Sequence, residues 1–316
     1  SKHLPELLPV MQEMITDSIF PAEELSVYQQ NTKQRLTVNL KKCDFVATRL
    51  IDAHLYGHAH PYGTFTNAED IDALDVLTLK KYFEQYYLLG KCVIFVSGKI
   101  PFDLQQQLNK HFGQHGIGKP SFRVEPIEAH PAAEKKYRIE NDPNGVQGAI
   151  RIARPFPNRH HPDFMKVMVL NTLFGGYFGS RLMSNIREDK GYTYGIHSYV
   201  QNHVQQSAWM ISTEAGKDVC EATVTEVYNE MKALRETLVD DEELSLVRNY
   251  LMGTILGDLD GPFHIMGRWK NLILNNLTES YFYDSINTIK NISADELRDL
   301  AKKYLVPDDF YELVVI

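Results

Sequence analysis

The feature of this sequence that most constrains its fold is an internal repeat whose two copies carry the same order of predicted elements. The tetrapeptide Glu-Glu-Leu-Ser occurs at Glu23–Ser26 and again at Glu242–Ser245, an offset of 219 residues. After each copy the sequence predicts a helix, a loop, a second helix and then a β-branched run. A unit of this kind, repeated once at long range, indicates two homologous domains.

The second helix of each copy is predicted to begin at a hydroxyl residue. Thr78 and Ser293 occupy these positions, and their side chains can accept hydrogen bonds from the unpaired N–H groups of a first helical turn. The runs that follow are KCVIFVSG from Lys91 and YELVVI at the end of the sequence. Both are predicted strands because they are rich in β-branched and aromatic residues.

The part of the second copy that precedes its Glu-Glu-Leu-Ser contains predicted strands and helices in alternation. The run that begins at Val146 predicts a strand, and apolar residues near helical spacing predict a helix over Phe164–Phe174 that ends at Gly175 and Gly176. Two further runs, TYGIHSYV and SAWMISTEA, predict paired strands, and a long helix follows them. Strands arranged in this way predict an α+β fold with a mostly antiparallel sheet.

The repeat also predicts how the chain divides into domains. Because residue 1 corresponds to about residue 220, roughly 95 residues at the front of the second copy have no counterpart in the first. We therefore expect residues 1–115 to form the C-terminal half of an incomplete first domain, and residues 137–316 to form a second domain. Residues 116–136 are rich in Gly, Pro and Ala and are predicted to link the two.

Composition and charge narrow the classes of partner. The chain of 316 residues is 43% hydrophobic and 23% charged, with a formal net charge of -8. Since no basic stripe interrupts this acidic balance, we expect no nucleic-acid partner. No apolar run approaches the roughly 18 residues of a membrane helix, so we expect no membrane partner and a soluble chain, in the cytoplasm or the periplasm. The three scattered cysteines indicate small buried side chains instead of a disulfide framework or a zinc knuckle.

A charged turn in the second domain holds the candidate binding site. The stretch SNIREDKGYTYG places Arg187 and Tyr194 seven residues apart, across a predicted helix end and a glycine turn. A guanidinium and a phenol that point the same way can both donate hydrogen bonds to a peptide carbonyl or a chain-terminal carboxylate. From these residues alone, a surface charge cluster beside a half-buried tyrosine is the simpler interpretation.

The longer stretch LNTLFGGYFGSRLMSNIREDKGYTYGIHS resembles the signature of the C-terminal domain of the pitrilysin, or insulinase-like, zinc peptidases. HPYG at His60–Gly63 is similar to a pattern in that family's first domain, and the duplication is similar to its paired homologous domains. The resemblance implies the mitochondrial-processing-peptidase-like metallohydrolase fold, in which helices cover mostly antiparallel sheets. It also implies that Arg187 and Tyr194 contact bound peptide, opposite the zinc-bearing domain, and that Arg181 is structural.

The residues with which this family binds zinc and cleaves peptides are absent from this sequence. The H-x-x-E-H motif places two imidazoles on zinc and a glutamate beside the attacking water, and no histidine here has that neighbourhood. The resemblance implies a further glutamate ligand about ten residues after Leu25. That position holds Arg35, whose guanidinium has no lone pair to offer. We therefore predict no catalytic residue and no metal ligand in this chain, and expect zinc in a partner or in an upstream segment.

Three histidines, His54, His58 and His60, lie close enough in sequence to gather a metal ion. Gly57 and Gly63 interrupt the helix pattern there, and no carboxylate is placed beside the imidazoles. Loop or helix-end roles are therefore the better interpretation. The motifs of phosphate-binding loops and serine nucleophiles are also absent, and FGGYFGS follows a predicted helix instead of a strand.

Three functions remain open from the sequence. In the first, this chain is the non-catalytic partner of a zinc metalloendopeptidase: it holds peptide through Arg187 and Tyr194, is inactive alone, and assembles with a homologous zinc-bearing subunit or as a homodimer. In the second, it is a fragment of an active zinc peptidase whose H-x-x-E-H motif lies upstream of residue 1. In the third, it is a structural scaffold subunit that only builds an oligomer.

Overall fold

In the computed structural model, residues 2–88, 92–113 and 126–316 are described, and they contain twelve α-helices and five strands. The α-helices are α1 (Leu4–Thr16), α2 (Ala22–Asn39), α3 (Cys43–Tyr56), α4 (Ala68–Asp72), α5 (Val76–Tyr82), α6 (Leu104–Phe112), α7 (Phe164–Asn171), α8 (Cys220–Glu236), α9 (Asp241–Gly257), α10 (Pro262–Leu274), α11 (Glu279–Asn291) and α12 (Ala294–Tyr304). The strands are β1 (Lys136–Ile139), β2 (Gln147–Phe156), β3 (Thr193–Asn202), β4 (Ser207–Gly216) and β5 (Tyr311–Val315). Three π-helical segments also occur, at Phe83–Leu88, Thr172–Gly176 and Met183–Asp189.

The five strands form one sheet in the order β1-β5-β2-β4-β3. The pairing of β1 with β5 is parallel, and the other three pairings are antiparallel. The α+β class and the mostly antiparallel, helix-covered sheet predicted from the sequence are therefore confirmed. The predicted hairpin is β3–β4, and the runs predicted as strands from Val146 and at the end of the sequence are β2 and β5.

The described residues divide into two compact units. Unit 1 comprises residues 1–37, 66–125 and 259–271, and unit 2 comprises residues 38–65, 126–258 and 272–316. Residues 114–125 lie outside the described ranges and include much of the predicted linker, while residues 126–135 carry no helix or strand. The division predicted at residues 116–136 stays a prediction.

The two faces of the sheet in unit 2 carry different side chains because neighbouring residues of a strand point to opposite sides. On β2, Ile150 and Ile152 face the larger core, which α7, α8 and α12 cover. The alternate residues Ala149 and Ala153 face α3 and lie in a second, smaller core. Their small side chains allow the helix to approach the sheet closely, and Arg151 between them pairs with Asp44 of α3.

A buried polar network ties the larger core together. The Trp209 indole Nε1–H donates to Ser198 Oγ (2.8 Å), and the Ser198 hydroxyl donates to Asn171 Oδ1 (2.7 Å). Asn171 Nδ2 in turn donates to the Ser198 carbonyl (3.1 Å). All three side chains are buried, and these hydrogen bonds give each of their polar atoms the partner that a buried polar group needs. The network joins α7 to both strands of the β3–β4 hairpin.

Asp52 on α3 makes the stability of unit 2 depend on pH. Burial raises the pKa of this carboxyl to about 6 from its ordinary 3.8, against the opposing effects of the Gln201 amide and the Arg151 charge. A folded-state pKa above the unfolded one means that the folded chain holds a proton more tightly. Stability therefore rises as pH falls from about 6 toward 4, and the penalty for burying the ionised form is complete above pH 6.

Replacing Asp52 with asparagine is expected to stabilise the chain at neutral pH, by about 1–2 kcal/mol once partial exposure is discounted. The gain should shrink between pH 6 and pH 4, because the wild-type carboxyl becomes neutral there. Urea unfolding of both proteins across this range measures it. A difference that stays constant with pH would contradict the assignment to Asp52.

Unit 1 is helical and has very little core. Gln29 Nε2 on α2 donates to the carbonyls of Ile71 (2.8 Å) and Leu74 (3.0 Å). Further polar contacts join His111 to Gln12 and Lys33 to Asp72, but few apolar side chains of this unit are buried. Of the described residues of unit 1, only Leu8 and Ile71 are buried, each 2% exposed.

Two local predictions for the repeat need correction. The helix α5 begins after Asp75 instead of Thr78, because the Asp75 carboxylate accepts from the Thr78 N–H (2.8 Å) and Thr78 lies inside the first turn. The strand predicted from Lys91 is absent from the described residues 92–98, since no neighbouring strand is there to pair with them. The hydroxyl start of the second copy is confirmed: Ser293 caps α12 in a reciprocal pair with Glu296.

Candidate functional site

The two candidate binding residues lie on either side of a tight turn in unit 2. Arg187 belongs to the π-helical segment Met183–Asp189, and Tyr194 is the second residue of β3. Gly191 between them has a φ of +65°, and a side chain built there would meet nothing within 4 Å. The glycine is therefore needed for its left-handed backbone, and the turn reverses the chain so that both side chains meet.

The structure brings Arg187 and Tyr194 together and adds a third residue, Phe178. The Arg187 guanidinium carbon lies 5.6 Å from the centre of the Tyr194 ring and 4.6 Å from that of Phe178. Both distances are within the range of cation–π attraction, which favours a guanidinium over the face of an aromatic ring. Tyr194 is 92% exposed and Phe178 is also exposed, so the cluster lies on the surface.

The polar groups of this cluster have few partners. Arg187 Nη1 lies 4.0 Å from Glu188 Oε1, at the limit of an ion pair. In the part of the chain that the structure describes, neither the Arg187 guanidinium nor the Tyr194 hydroxyl makes a hydrogen bond to another residue. Several N–H donors and one O–H donor are thus available to a ligand that supplies oxygen acceptors.

Buried neighbours hold the segment that carries Arg187. Ile186 is fully buried in the larger core, and the Tyr192 N–H donates to its carbonyl across the turn (3.0 Å). Arg181 donates twice to Glu243, over 2.8 and 2.7 Å, in a bidentate pair that fixes the start of the segment to α9. The structural role expected for Arg181 agrees with this contact.

Phe178 is the member of the cluster that sequence reasoning missed. It lies in the loop after the helix that ends at Gly175–Gly176, and its only signal in the sequence is an aromatic residue within a glycine-rich stretch. An exposed aromatic ring in a loop is common, and its contact with Arg187 depends on how the loop folds. The contact therefore becomes visible only in the structure.

The residues present do not fit a zinc ion. In the described part of the chain, no three His, Cys, Asp or Glu side chains come together as metal ligands. Arg35 lies exposed on α2, where its Nη2 donates to Thr32 Oγ1 (3.1 Å). A cationic donor at this place repels a divalent cation. We derive no zinc chemistry from this chain.

The histidines near the end of α3 are engaged in packing. The His54 ring stacks on Tyr137 at 3.8 Å, and its pKa is lowered by burial and then by the nearby His58. His60 is buried: its Nδ1 accepts from the Tyr62 N–H (3.0 Å), so its Nε2 carries the proton that faces the Ile127 carbonyl (3.2 Å). They line a cavity of about 420 Å³ at the C-terminal end of α3.

Comparison with known proteins places the chain among peptidase homologues. The family model described as "Peptidase M16 inactive domain" matches residues 73–251. The chain is 22% identical over 324 residues to the uncharacterized zinc protease YmxG of Bacillus subtilis, a match that covers 100% of this chain and 76% of YmxG. It is 22% identical over 284 residues to the probable inactive metalloprotease YmfF of the same species, over 83% of this chain and 64% of YmfF.

The same fold occurs in a solved structure. The crystal structure of the peptidase M16 inactive domain from Pseudomonas fluorescens superposes with a TM-score of 0.80, at 21% identity, over 98% of this chain and 74% of that one. None of the helices in the described ranges combines the length and apolar character needed to cross a membrane.

Proposed function

Because this chain belongs to the family of the peptidase M16 inactive domain, we propose that it binds the peptide substrate of a zinc metalloendopeptidase and leaves hydrolysis to a partner. Membership of that family supports a non-catalytic, peptidase-like role, and it confirms the resemblance carried by Leu173–Tyr194. The observation that carries the peptide-binding role is the pair formed by the partly exposed Arg187 and the exposed Tyr194, whose hydrogen-bond donors are free within the described ranges.

The chemistry of the pair suits a peptide backbone or its terminal carboxylate. Arg187 offers planar, parallel N–H donors, which match the two oxygens of a carboxylate or the successive carbonyls of an extended chain. The Tyr194 hydroxyl can donate to a neighbouring carbonyl. Cation–π contact with the Phe178 and Tyr194 rings restricts the guanidinium before a ligand arrives, so less conformational entropy is lost on binding.

The partner in this proposal is a homologous zinc-bearing peptidase subunit. It supplies the metal and the glutamate that activates water, while this chain supplies the surface on which peptide is held. A homodimer is the other assembly in which the pair can face a second peptidase-like surface. Size-exclusion chromatography with light scattering separates the two.

Replacing Arg187 with alanine is expected to weaken peptide binding about ten- to a hundredfold, since hydrogen bonds to a charged group contribute about 1.5–3 kcal/mol. Arg187→Lys should recover little, because an ammonium cannot replace the planar fork. Tyr194→Phe should weaken binding about three- to tenfold through its lost hydroxyl. Phe178→Leu should weaken it about two- to fivefold through the lost cation–π contact. Fluorescence anisotropy with a panel of labelled peptides measures all four.

Tyr199→Phe is the matched control, because Tyr199 is a partly exposed tyrosine on the same strand, β3, outside the cluster. It should bind peptide as the wild type does. Unchanged affinity in the Arg187 and Tyr194 variants would leave the scaffold role instead. Cleavage of peptides by this chain alone, abolished by a chelator, would show an active peptidase and overturn the proposal.

A further inference from the structure

A β-bulge interrupts the β3–β4 ladder next to the candidate binding site, at the start of β3. The register of the ladder shifts between Thr193 and Ile196. Two residues of β3, Tyr194 and Gly195, therefore lie opposite a single residue of β4, Glu214. Bulges of this kind re-aim a side chain and are common next to functional sites. The bulge brings the Glu214 carboxylate into the immediate neighbourhood of Tyr194.

Buried hydroxyl groups hold the bulge in place. Thr193 Oγ1 donates to the Glu214 carbonyl (2.6 Å), and Thr213 Oγ1 donates to the Gly195 carbonyl (2.9 Å). Both threonine side chains are buried, and Ala215 belongs to the larger core. Because neighbouring residues of a strand point to opposite faces, the Glu214 side chain points away from that core. The position of this carboxylate is thus set by the fold.

The Glu214 carboxylate is exposed and keeps its charge for a ligand. Among the residues that the structure describes, it has no ion pair and its side chain makes no hydrogen bond. Arg151, the cation on the same face of β2, is paired with Asp44. The Arg187 guanidinium lies at ion-pair distance from Glu188. Neither of these cations neutralises Glu214.

Gly195 leaves open space between the Tyr194 ring and the Glu214 carboxylate. Apart from its chain neighbours, a Cβ at this position would meet one atom within 4 Å, His197 Nε2 at 3.5 Å. His197 is itself exposed. At the bulge, β3 therefore places no side chain beside Glu214, and a side chain of a bound ligand can lie there.

We propose that Glu214 selects peptides that carry a lysine or arginine one or two positions from the residue held by Arg187. This inference rests on the proposed peptide-binding function and names the class of peptide. The Glu214 carboxylate accepts the N–H donors of the basic side chain, while Arg187 donates to the peptide's oxygen atoms. An acidic side chain at the same place is repelled, and such repulsion contributes to specificity. The formal net charge of -8 also attracts basic peptides over longer distances.

The test measures the charge preference of the intact chain with fluorescein-labelled octapeptides of serine, threonine and alanine. Each peptide carries one lysine, norleucine or glutamate, which is moved through every position. At low salt, fluorescence anisotropy should show that lysine binds about two- to fivefold more tightly than norleucine at one or two neighbouring positions, the range for an exposed ion pair. Glutamate there should bind less tightly than norleucine. The preference should vanish at about 1 M salt, where exposed charges are screened.

Variants at Glu214 separate its charge from other causes of the preference. Glu214→Gln should abolish the preference for lysine and leave the affinity for the norleucine peptide unchanged. Glu214→Lys should reverse the preference, so that glutamate binds more tightly than norleucine. Glu236→Gln is the matched control, because Glu236 is an exposed carboxylate at the end of α8, which covers the other face of the sheet. It should bind all three peptides as the wild type does.

Arg187→Ala separates this inference from the proposed function. It should weaken the binding of all three peptides by the same factor, because Arg187 contacts the peptide's oxygen atoms and not its basic side chain. A wild type without a preference for lysine, or a preference that persists in Glu214→Gln, overturns the role of Glu214, while an effect of Arg187→Ala still supports peptide binding. Peptides that do not bind, or that bind equally well to Arg187→Ala, overturn the proposed function and this inference with it.

Discussion

Replacing Trp209 with alanine is expected to lower the free energy of unfolding by about 3–5 kcal/mol, the range for truncating a large aromatic residue in a packed core. Trp209 is fully buried between Phe156 and Phe174, and its indole N–H is one end of the network through Ser198 to Asn171. The change leaves a cavity and removes the donor to the Ser198 hydroxyl. Urea unfolding followed by circular dichroism measures the loss.

The second tryptophan of the chain, Trp269, provides a matched control for the Trp209 variant. Trp269 is 46% exposed in unit 1, and Trp269→Ala should change stability by less than about 1 kcal/mol. Trp209→Phe keeps most of the ring volume and loses the hydrogen bond, so its cost should lie near 1–3 kcal/mol. Similar losses for both alanine variants would contradict the view that the fold is stabilised mainly through unit 2.

Most strands and helices of unit 2 could be predicted from the sequence, whereas the network that joins them could not. The strands β2 to β5 were predictable because each is a run that contains β-branched and aromatic residues, and in the structure each has a neighbouring strand to pair with. The strand β1, with the sequence KYRI, was not predicted. The helix over Phe164–Phe174 was predictable from spacing, although its last turn is π-helical. The pairing through Asn171, Ser198 and Trp209 was not, because it joins residues far apart in sequence.

Residues 92–97 show that the composition of a segment alone does not determine whether it forms a strand. The run has the composition of a strand, and by the repeat it corresponds to β5. A strand, however, is defined by its partner, and the described residues supply none. The wrong prediction at Thr78 has a smaller cause: Asp75, three residues earlier, is also a good cap, and the sequence does not decide between two such residues.

The candidate site was predictable in part for a similar reason. Arg187 and Tyr194 are separated by one helix end and one glycine turn, so the chain itself brings them near each other. The two side chains are close because the turn at Gly191 reverses the chain, and their seven-residue separation in sequence already indicates this. Phe178 reaches Arg187 from a separate loop, and no spacing rule predicts that contact.

Replacing Arg138 with methionine is expected to cost about 3–5 kcal/mol, because it leaves a buried carboxylate without its cation. Arg138 on β1 pairs with Glu312 on β5, which is only 2% exposed and also accepts from the Tyr228 hydroxyl (2.8 Å). Tyr228 alone cannot compensate a full negative charge in the core. Chemical unfolding of the variant and the wild type measures the cost.

Two further variants show whether the buried charge or the lost packing causes that effect. Arg138 also pairs with Glu221, which is 66% exposed, so Glu221→Gln should cost less than about 1 kcal/mol. Adding Glu312→Leu to Arg138→Met removes the stranded charge, and the double variant should recover most of the lost stability, since a well-packed apolar pair can replace a buried ion pair. A double variant no more stable than Arg138→Met would contradict the electrostatic explanation and show that β1 is held on β5 by the arginine's packing. A double variant that recovers the lost stability would show that the parallel pairing of β1 with β5 requires Arg138 only because the carboxylate of Glu312 is buried there.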